Sequence, residues 1–199
     1  MKNWILLVLM LGNVNLVFAE FMPQSFTSRF EQEYISSLKG NVKRGNGTIE
    51  YRYPGQIRFE TNTPSTVIFV SNGTKAWYYR APFIEGEQGE VTETSAREGA
   101  SVYIKFFDVL KKGLSNNDYY DVKDNLLTFK GKAKADLGIA QARLLFKNNS
   151  AQFSHLEVID MTFTDGKNSK IKFTDLKTDV ALPTERFNFI PPANTKKTN

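Results

Sequence analysis

The strongest constraint on the fold of this chain is a series of short segments in which apolar and polar residues alternate. In residues 48–53, apolar side chains occupy every second position, and charged or hydroxyl groups occupy the others. A period of two is typical of a β-strand with one buried face. The dipeptides Asn72-Gly73 and Asp165-Gly166, which are common in tight turns, separate such segments. The pattern therefore predicts an antiparallel sheet of about ten short strands.

The other segments with strand character are rich in aromatic and β-branched residues. They lie around Ile57 and Phe59, at residues 66–70 and 75–79, near Val91, at residues 119–122, 126–130, 139–146, 153–163 and 170–176, and at Phe187 with Phe189. We find no internal repeat and no linker among them. One domain is therefore expected after the N-terminal segment.

Two segments carry a helical pattern instead. Residues 23–38 repeat an aromatic or aliphatic side chain every four positions, starting with Phe26 and Phe30, and this spacing predicts a first helix. Residues 101–114 predict a second helix, whose apolar stripe consists of Val102, Phe106, Val109 and Leu110, flanked by Tyr103, Ile104 and Phe107. An antiparallel sheet must cover its apolar face, and so few helices cannot cover a flat one. We expect an α+β, mainly β fold with a curved, partly closed sheet and helices over its concave side.

The N-terminus has the pattern of an export signal. Lys2 precedes a compact apolar run at residues 4–11, and Val17-Phe18-Ala19 offers a signal-peptidase site. We predict that residues 1–19 are a cleaved signal peptide; the alternative is an uncleaved membrane anchor. Acylation of the N-terminus is disfavoured because the chain has no cysteine. Residues 20–192 are then expected to form the domain, and residues 193–199 a polar, disordered tail.

The composition argues against most catalytic chemistry. The chain has one histidine, His155, and no cysteine, so it cannot supply a typical zinc site. It has no phosphate-binding glycine loop and no dinucleotide fingerprint, and we expect no cofactor and no enzyme. The net charge of +5 comes from scattered lysines and arginines, which does not favour a nucleic-acid partner. A hydrolase that uses the loop carboxylates Glu85 and Glu87 remains an alternative.

Several motifs follow one another in an order that is informative. They are Gly-Thr-Ile-Glu-Tyr-Arg-Tyr-Pro at residues 47–54, Ile57-Arg58-Phe59, Ile-Phe-Val-Ser-Asn-Gly at residues 68–73, Ala76-Trp77-Tyr78-Tyr79, Pro82, and Phe187-x-Phe189-x-Pro191-Pro192. Together they resemble the LolA family, the periplasmic carriers of outer-membrane lipoproteins. Residues 26–30 are similar to the first helix of that family.

The resemblance implies an incomplete, half-open antiparallel β-barrel with a lid of short helices over an apolar cavity. It also implies a periplasmic protein of a Gram-negative bacterium that shields the acyl chains of lipoproteins. Its partners would be acylated lipoproteins, an inner-membrane LolCDE-type transporter and an outer-membrane LolB-type receptor, and the protein would act as a monomer. Fold does not fix function. Another envelope binding module on this scaffold, such as a lipoprotein-stress sensor or a glycolipid carrier, is the alternative.

Strand parity groups candidate site residues, and the resemblance indicates which face is concave. The expected cavity wall consists of Tyr51, Tyr53, Ile57, Phe59, Phe69, Trp77 and Tyr79. The expected lid residues are Phe106, Val109 and Leu110.

One position departs from the family pattern. The family commonly has Arg before the Pro of its first long strand, where it holds the lid shut, and this chain has Tyr53 there with Arg52 beside it. Neighbours on a strand point to opposite faces, so Arg52 is not expected to replace the family Arg. Tyr53 could instead hydrogen-bond a carbonyl group of the lid through its hydroxyl, and the sequence leaves open which residue takes the place of the family Arg.

Overall fold

The computed structural model of this protein describes residues 20–35, 41–99 and 101–198, and twelve strands in these residues form one sheet. The strands are β1 (Ser25–Ile35), β2 (Val42–Arg52), β3 (Gln56–Thr63), β4 (Val67–Asn72), β5 (Lys75–Arg80), β6 (Gly89–Ser95), β7 (Tyr120–Lys123), β8 (Leu126–Phe129), β9 (Ile139–Phe146), β10 (Leu156–Phe163), β11 (Asn168–Thr178) and β12 (Thr195–Thr198). The helices are α1 (Val102–Leu110) and α2 (Gly131–Leu137). The predicted signal peptide at residues 1–19 lies outside the described residues.

The sheet is open and almost entirely antiparallel. Its strands lie in the order β12-β6-β5-β4-β3-β2-β1-β11-β10-β9-β8-β7, and only the pairing of β12 with β6 is parallel. Tight turns join most neighbours, as the alternating segments predicted. The prediction of a mainly β, half-open sheet with short helices is confirmed.

The predicted first helix is wrong, because residues 25–35 form the central strand β1 between β2 and β11. A spacing of four is also a multiple of two, so Phe26 and Phe30 fit one face of a strand as well as one side of a helix. Ser28, which lies between them, is buried as well, and this marks the period of two. The predicted end of that helix, at residues 36–38, lies outside the described residues.

The C-terminal predictions also need correction. Phe187 lies in a 3₁₀ turn, Thr184–Phe187, and not in a strand. The polar tail, which was expected to be disordered, contains β12 and pairs with β6 along the edge of the sheet. Its Lys-rich sequence has little to bury, and backbone hydrogen bonds to an exposed edge are sufficient to order it.

Two apolar clusters pack on opposite faces of the sheet. The larger one lies between the sheet and the two helices. The smaller one contains Val70, Trp77, Tyr79, Val91 and Phe189, and it lies under the C-terminal segment.

Arg52 holds the C-terminal segment against the sheet. Its Nη1 atom donates a hydrogen bond to the carbonyl oxygen of Leu182 at 2.6 Å, and its guanidinium group lies 5.0 Å from the centre of the Phe187 ring. Arg186 forms a second bond to the sheet, from Nε to a carboxylate oxygen of Glu50 at 2.9 Å.

Candidate functional site

The register of the strands determines which side chains share the concave face. Tyr51 pairs with Ile57, and Phe59 pairs with Phe69. Phe69 in turn pairs with Tyr78 on β5. Residues directly opposite each other in an antiparallel pair lie on the same side of the sheet. These five side chains therefore form one apolar strip across β2 to β5.

The helix α1 covers this strip. Its first turn is capped by Ser101, whose hydroxyl oxygen accepts a hydrogen bond from the N–H of Tyr103 at 3.2 Å. The helix buries Ile104, Phe106, Phe107 and Leu110. Of the predicted lid residues, Phe106 and Leu110 are thus fully buried, and Val109 is half-buried and packs against the same cluster.

Phe107 is a lid residue that the apolar stripe did not include. Its ring centre lies 5.1 Å from that of Phe26 and 5.3 Å from that of Tyr51. The predicted stripe was too narrow, since a helix that covers a curved sheet buries more than one row of side chains. Phe107 therefore links the lid to the central strands β1 and β2 through aromatic contacts.

One carboxylate joins the lid to the sheet. Asp108 on α1 accepts a hydrogen bond from the hydroxyl of Tyr51 at 2.5 Å and another from the N–H of Gly55 at 3.1 Å. The bond to Gly55 lies in the turn between β2 and β3, where Gly55 has a positive φ of 65°. Asp108 thus contacts a strand and the adjacent turn at once. We call these two hydrogen bonds the latch.

The environment of Tyr51 keeps its hydroxyl protonated. Burial raises the pKa of Tyr51 well above its usual range, and the negative charge of Asp108 and the hydrogen bond to it raise this pKa further. The hydroxyl therefore remains a hydrogen-bond donor at any physiological pH. Because Asp108 is an acceptor when ionised, donor and acceptor are matched in the latch.

Lys111 makes further contacts at the end of α1. Its Nζ atom lies 2.6 Å from a carboxylate oxygen of Glu20 and 2.9 Å from the carbonyl oxygen of Met22. It also lies 5.2 Å from the centre of the Tyr53 ring. The N-terminal segment of the described chain and the end of the lid are therefore tied together.

An apolar groove of about 300 Å³ runs along the edge of the lid. Phe69 and Tyr78 of the sheet line one side, and Gly99, Ser101 and Tyr103 line the other. The volume falls at the lower end of the range of small-molecule sites. Because Tyr103 belongs to α1, the groove changes shape whenever the lid moves.

Tyr103 is fixed by its neighbours. Its ring stacks on that of Phe59, with the centres 5.1 Å apart and the planes 6° from parallel. Its hydroxyl accepts a hydrogen bond from the side-chain nitrogen of Gln32 at 2.5 Å. Burial raises the pKa of Tyr103. The lid therefore contributes an ordered aromatic wall to the groove.

Two predicted wall residues pack mainly on the other face of the sheet. Trp77 and Tyr79 pack in the smaller cluster with Phe189, and the ring centres of Tyr79 and Phe189 are 5.5 Å apart. Trp77 also borders the groove, but the β5 side chain whose strand partner is Phe69 is that of Tyr78. Both faces of β5 are apolar, and the C-terminal segment covers the outer one.

The expectation for Tyr53 also needs correction. Tyr53 is exposed, and its hydroxyl has no hydrogen-bond partner among the described residues. The N–H of Tyr53 donates a hydrogen bond to the carbonyl oxygen of Gln24 at 2.9 Å. Gln24 directly precedes β1, so this bond does not involve the lid. The hydroxyl that reaches the lid is that of Tyr51, two residues earlier on the same face. Parity allowed either tyrosine, and only the position of α1 decides between them.

Within the described parts of the chain, no three His, Cys, Asp or Glu side chains come together in a way that could hold a metal ion. Glu85 and Glu87 are exposed in the loop between β5 and β6. His155 lies in a 3₁₀ turn, Phe153–His155. No helix in residues 20–35, 41–99 and 101–198 has the length and apolar character needed to cross a membrane.

The concave apolar face of this open sheet is covered by a helix and borders a groove, and no second sheet packs on it among the described residues. This arrangement is typical of an open-sheet binding protein. Comparison with known families agrees with this class. The family described as "Outer membrane lipoprotein carrier protein LolA" matches residues 22–190. The match spans most of the chain, and the chain belongs to this family, as the resemblance predicted.

The relatives carry the same description. The outer-membrane lipoprotein carrier protein of Francisella tularensis subsp. tularensis (strain WY96-3418) is 25% identical over 209 aligned positions, which cover 98% of this chain and 96% of the relative. The protein of that name from Pseudoalteromonas translucida is 26% identical and covers 85% of this chain and 78% of the relative. Among solved structures, a LolA superfamily protein from Nitrosomonas europaea covers 85% of this chain and 93% of its own, with 13% identity and a TM-score of 0.49.

Proposed function

We propose that this protein is a periplasmic carrier that binds the acyl chains of lipoproteins released from the inner membrane and delivers them to the outer membrane. The family and the names of its relatives support this proposal. The observation that carries it is the concave apolar strip, which is covered by one helix that a few side-chain hydrogen bonds, among them those of the latch, attach to the sheet. A permanent core needs no such detachable cover.

The energy of opening supports a carrier role. Full burial of an apolar side chain is worth about 1.5–3 kcal/mol, so lifting the four buried residues of α1 into water costs about 6–12 kcal/mol. Each acyl methylene moved out of water returns about 0.8 kcal/mol. About 8–15 methylenes therefore balance the opened lid. One long acyl chain supplies that number, so the entry of one chain offsets the cost of opening the lid.

The closed groove is too small for the whole cargo. A lipoprotein with three acyl chains needs far more room than about 300 Å³. We infer that the groove admits the first chain while the lid is closed. Displacement of Tyr103 by that chain then loosens the start of α1, and the strip beneath the helix becomes available to the other chains.

The partners follow from the same proposal. Cargo would come from an inner-membrane LolCDE-type transporter and pass to an outer-membrane LolB-type receptor. The protein would work as a monomer, without a cofactor and without nucleic acid. Export of the chain rests on residues 1–19 as a cleaved signal. Binding by exchange of apolar surface needs no catalytic group, which is why we propose no enzymatic activity.

The test is binding of a fluorescent long-chain acyl probe to the purified protein and to a groove variant. Tyr78 is 42% exposed and lines the groove, so Tyr78→Glu places a carboxylate against the probe without disturbing the core. We expect affinity to fall at least roughly tenfold, because the charge loses solvation against hydrocarbon. Ile57 is unsuitable for this test because it is fully buried and its replacement by Glu would unfold the sheet.

Tyr119→Glu is the matched control. Tyr119 is 37% exposed and does not line the groove, so this variant should bind the probe like the wild type. Equal binding by all three proteins would contradict the assignment of the groove. Mass spectrometry of material that co-purifies from the native host separates the alternatives: acylated protein supports the carrier, and free glycolipid supports the glycolipid carrier.

A further inference from the structure

The loop between β5 and β6, residues 81–88, exposes two large apolar side chains next to each other. Phe83 is 78% exposed and Ile84 is 63% exposed. Single exposed apolar residues are common on protein surfaces, whereas two exposed ones next to each other form a small apolar patch. Neither residue is used by the latch or the groove. We call Phe83 and Ile84 the tip.

The tip is held in place on both sides. The N–H of Ala81 donates to the carbonyl oxygen of Thr66 at 3.0 Å. A turn follows in which the N–H of Glu87 donates to the carbonyl oxygen of Ile84 at 3.2 Å, with Gly86 at a positive φ of 90°. Positive φ at the third position is the signature of a type II turn. The apolar pair therefore lies directly before a defined turn, with Ile84 as the first residue of that turn.

The C-terminal segment fixes the other side of the loop. The side-chain nitrogen of Asn194 donates a hydrogen bond to the backbone carbonyl oxygen of Glu87 at 3.0 Å. The backbone carbonyl oxygen of Asn194 accepts a hydrogen bond from the N–H of Gly89 at 3.0 Å. Exposed Ile190 lies on the same segment. Ordering the tip therefore costs little when it binds a partner.

The tip is too small to form a protein interface by itself. A stable protein–protein interface buries about 800 Å² on each partner, and two side chains on a convex turn provide much less. No atom beyond the neighbouring residues lies within 4 Å of the position of a Cβ at Gly86, so the turn faces open space. A bilayer surface, in contrast, accepts isolated apolar side chains at its headgroup boundary.

The charges of the loop indicate which bilayer it suits. Residues 81–88 contain Glu85 and Glu87 and no Lys or Arg. Anionic lipid therefore repels the loop, although the chain as a whole carries a net charge of +5. Insertion of the tip should thus be strongest in zwitterionic lipid, which is the opposite of what adsorption by a basic protein shows.

We propose that Phe83 and Ile84 insert into the headgroup region of zwitterionic lipid and dock the protein on the membrane. Only Tyr79 and Arg80 separate Tyr78 in the groove from Ala81 at the base of the loop, and these three residue steps span about 10 Å. Docking would place the end of the groove next to the lipid surface. This inference deepens the proposed carrier function, on which its purpose rests, because it names where the carrier meets the membrane.

The test measures flotation of the purified protein with phosphatidylcholine vesicles. We expect the double variant Phe83→Ser/Ile84→Ser to bind at least roughly tenfold more weakly than the wild type. Leu145→Ser, which removes an exposed apolar side chain from β9, should bind like the wild type. In addition, Phe83→Trp should gain fluorescence that lipids brominated on their acyl chains quench.

Other outcomes would overturn the proposal. Failure of the wild type to bind phosphatidylcholine vesicles would leave the tip to a protein partner. Binding that requires added phosphatidylglycerol, disappears in salt and is equal in the double variant would indicate adsorption by basic residues. The double variant should still bind the acyl probe in solution. If the wild-type protein does not bind the acyl probe but does bind the vesicles, the carrier function is contradicted and the docking of the tip is not.

Discussion

Replacing Asp108 by Ala removes the latch and leaves the apolar face of the lid intact. Hydrogen bonds to a charged group are worth about 1.5–3 kcal/mol each. Asp108 makes two of them, to Tyr51 and Gly55. Asp108 is half-buried, so water replaces part of what is lost. We therefore expect opening of α1 to become easier by about 2–4 kcal/mol, below the full value of two such bonds.

The assay is hydrogen exchange of the backbone amides in α1. A change of 2–4 kcal/mol corresponds to exchange that is about 30-fold to 900-fold faster, if the amides exchange through lid opening. Amides of β10 and β11, on the far side of the sheet, should keep their protection. Asp136→Ala on α2 is the matched control, because Asp136 is exposed and its side chain makes no hydrogen bond within the described residues.

Equal exchange of the α1 amides in the wild type and in Asp108→Ala would refute the reasoning. It would mean that apolar packing and the other lid contacts, such as the hydrogen bond from Gln32 to Tyr103, determine how often the lid opens without a contribution from the latch. A cycle with Tyr51→Phe sharpens the result, because the ring stays and only the donor is lost. If the latch is a unit, the double variant should open scarcely more easily than Asp108→Ala alone.

Two further predictions concern the tyrosines and the sheet. Burial raises the pKa values of Tyr51, Tyr103 and Tyr120. In a spectrophotometric titration of the native protein, we therefore expect these three tyrosines to ionise last. The variant Tyr51→Phe should remove one of the late ionisation steps. The contribution of the three tyrosines to stability is complete below pH about 10 and is lost as the pH rises further. Gly47→Ala would place a Cβ 1.7 Å from the backbone oxygen of Glu60, so we expect a loss of about 3 kcal/mol or more in urea unfolding. An unchanged midpoint would contradict this close approach.

Much of the sheet could be predicted from the sequence because its strands alternate locally. The hairpin of β4 and β5 and the helix α1 follow from residues that are near one another in the chain. The strand β1 could not be distinguished from a helix, because its strongest aromatic residues are four apart. Propensity and period agree with both structures there, and only pairing with β2 and β11 decides.

The site was harder to predict than the fold for a similar reason. The alternation of side chains along β5 predicted that Trp77 and Tyr79 share one face of the strand and that Tyr78 lies on the other. The structure confirms this grouping. The alternation could not show which face the lid covers, because β5 is apolar on both faces and the C-terminal segment covers the outer one. The latch joins residues 57 positions apart in the chain. The sequence signal for it was a lone carboxylate, Asp108, on a side of the helix where its neighbours three and four positions away include Lys105, Lys111 and Lys112.

The latch and the apolar face of α1 have different consequences for transport. Apolar burial is exchanged when cargo enters, since hydrocarbon replaces Phe106, Phe107 and Leu110 against the sheet. The latch is lost on opening, and an acyl chain has no polar group to replace it. The hydrogen bonds of the latch stabilise the closed lid and so reduce the fraction of protein whose lid is open. The apparent affinity for an acyl chain falls in proportion to that fraction. It follows that Asp108→Ala should bind a long acyl probe more tightly than the wild type, because a larger fraction of the protein has an open lid.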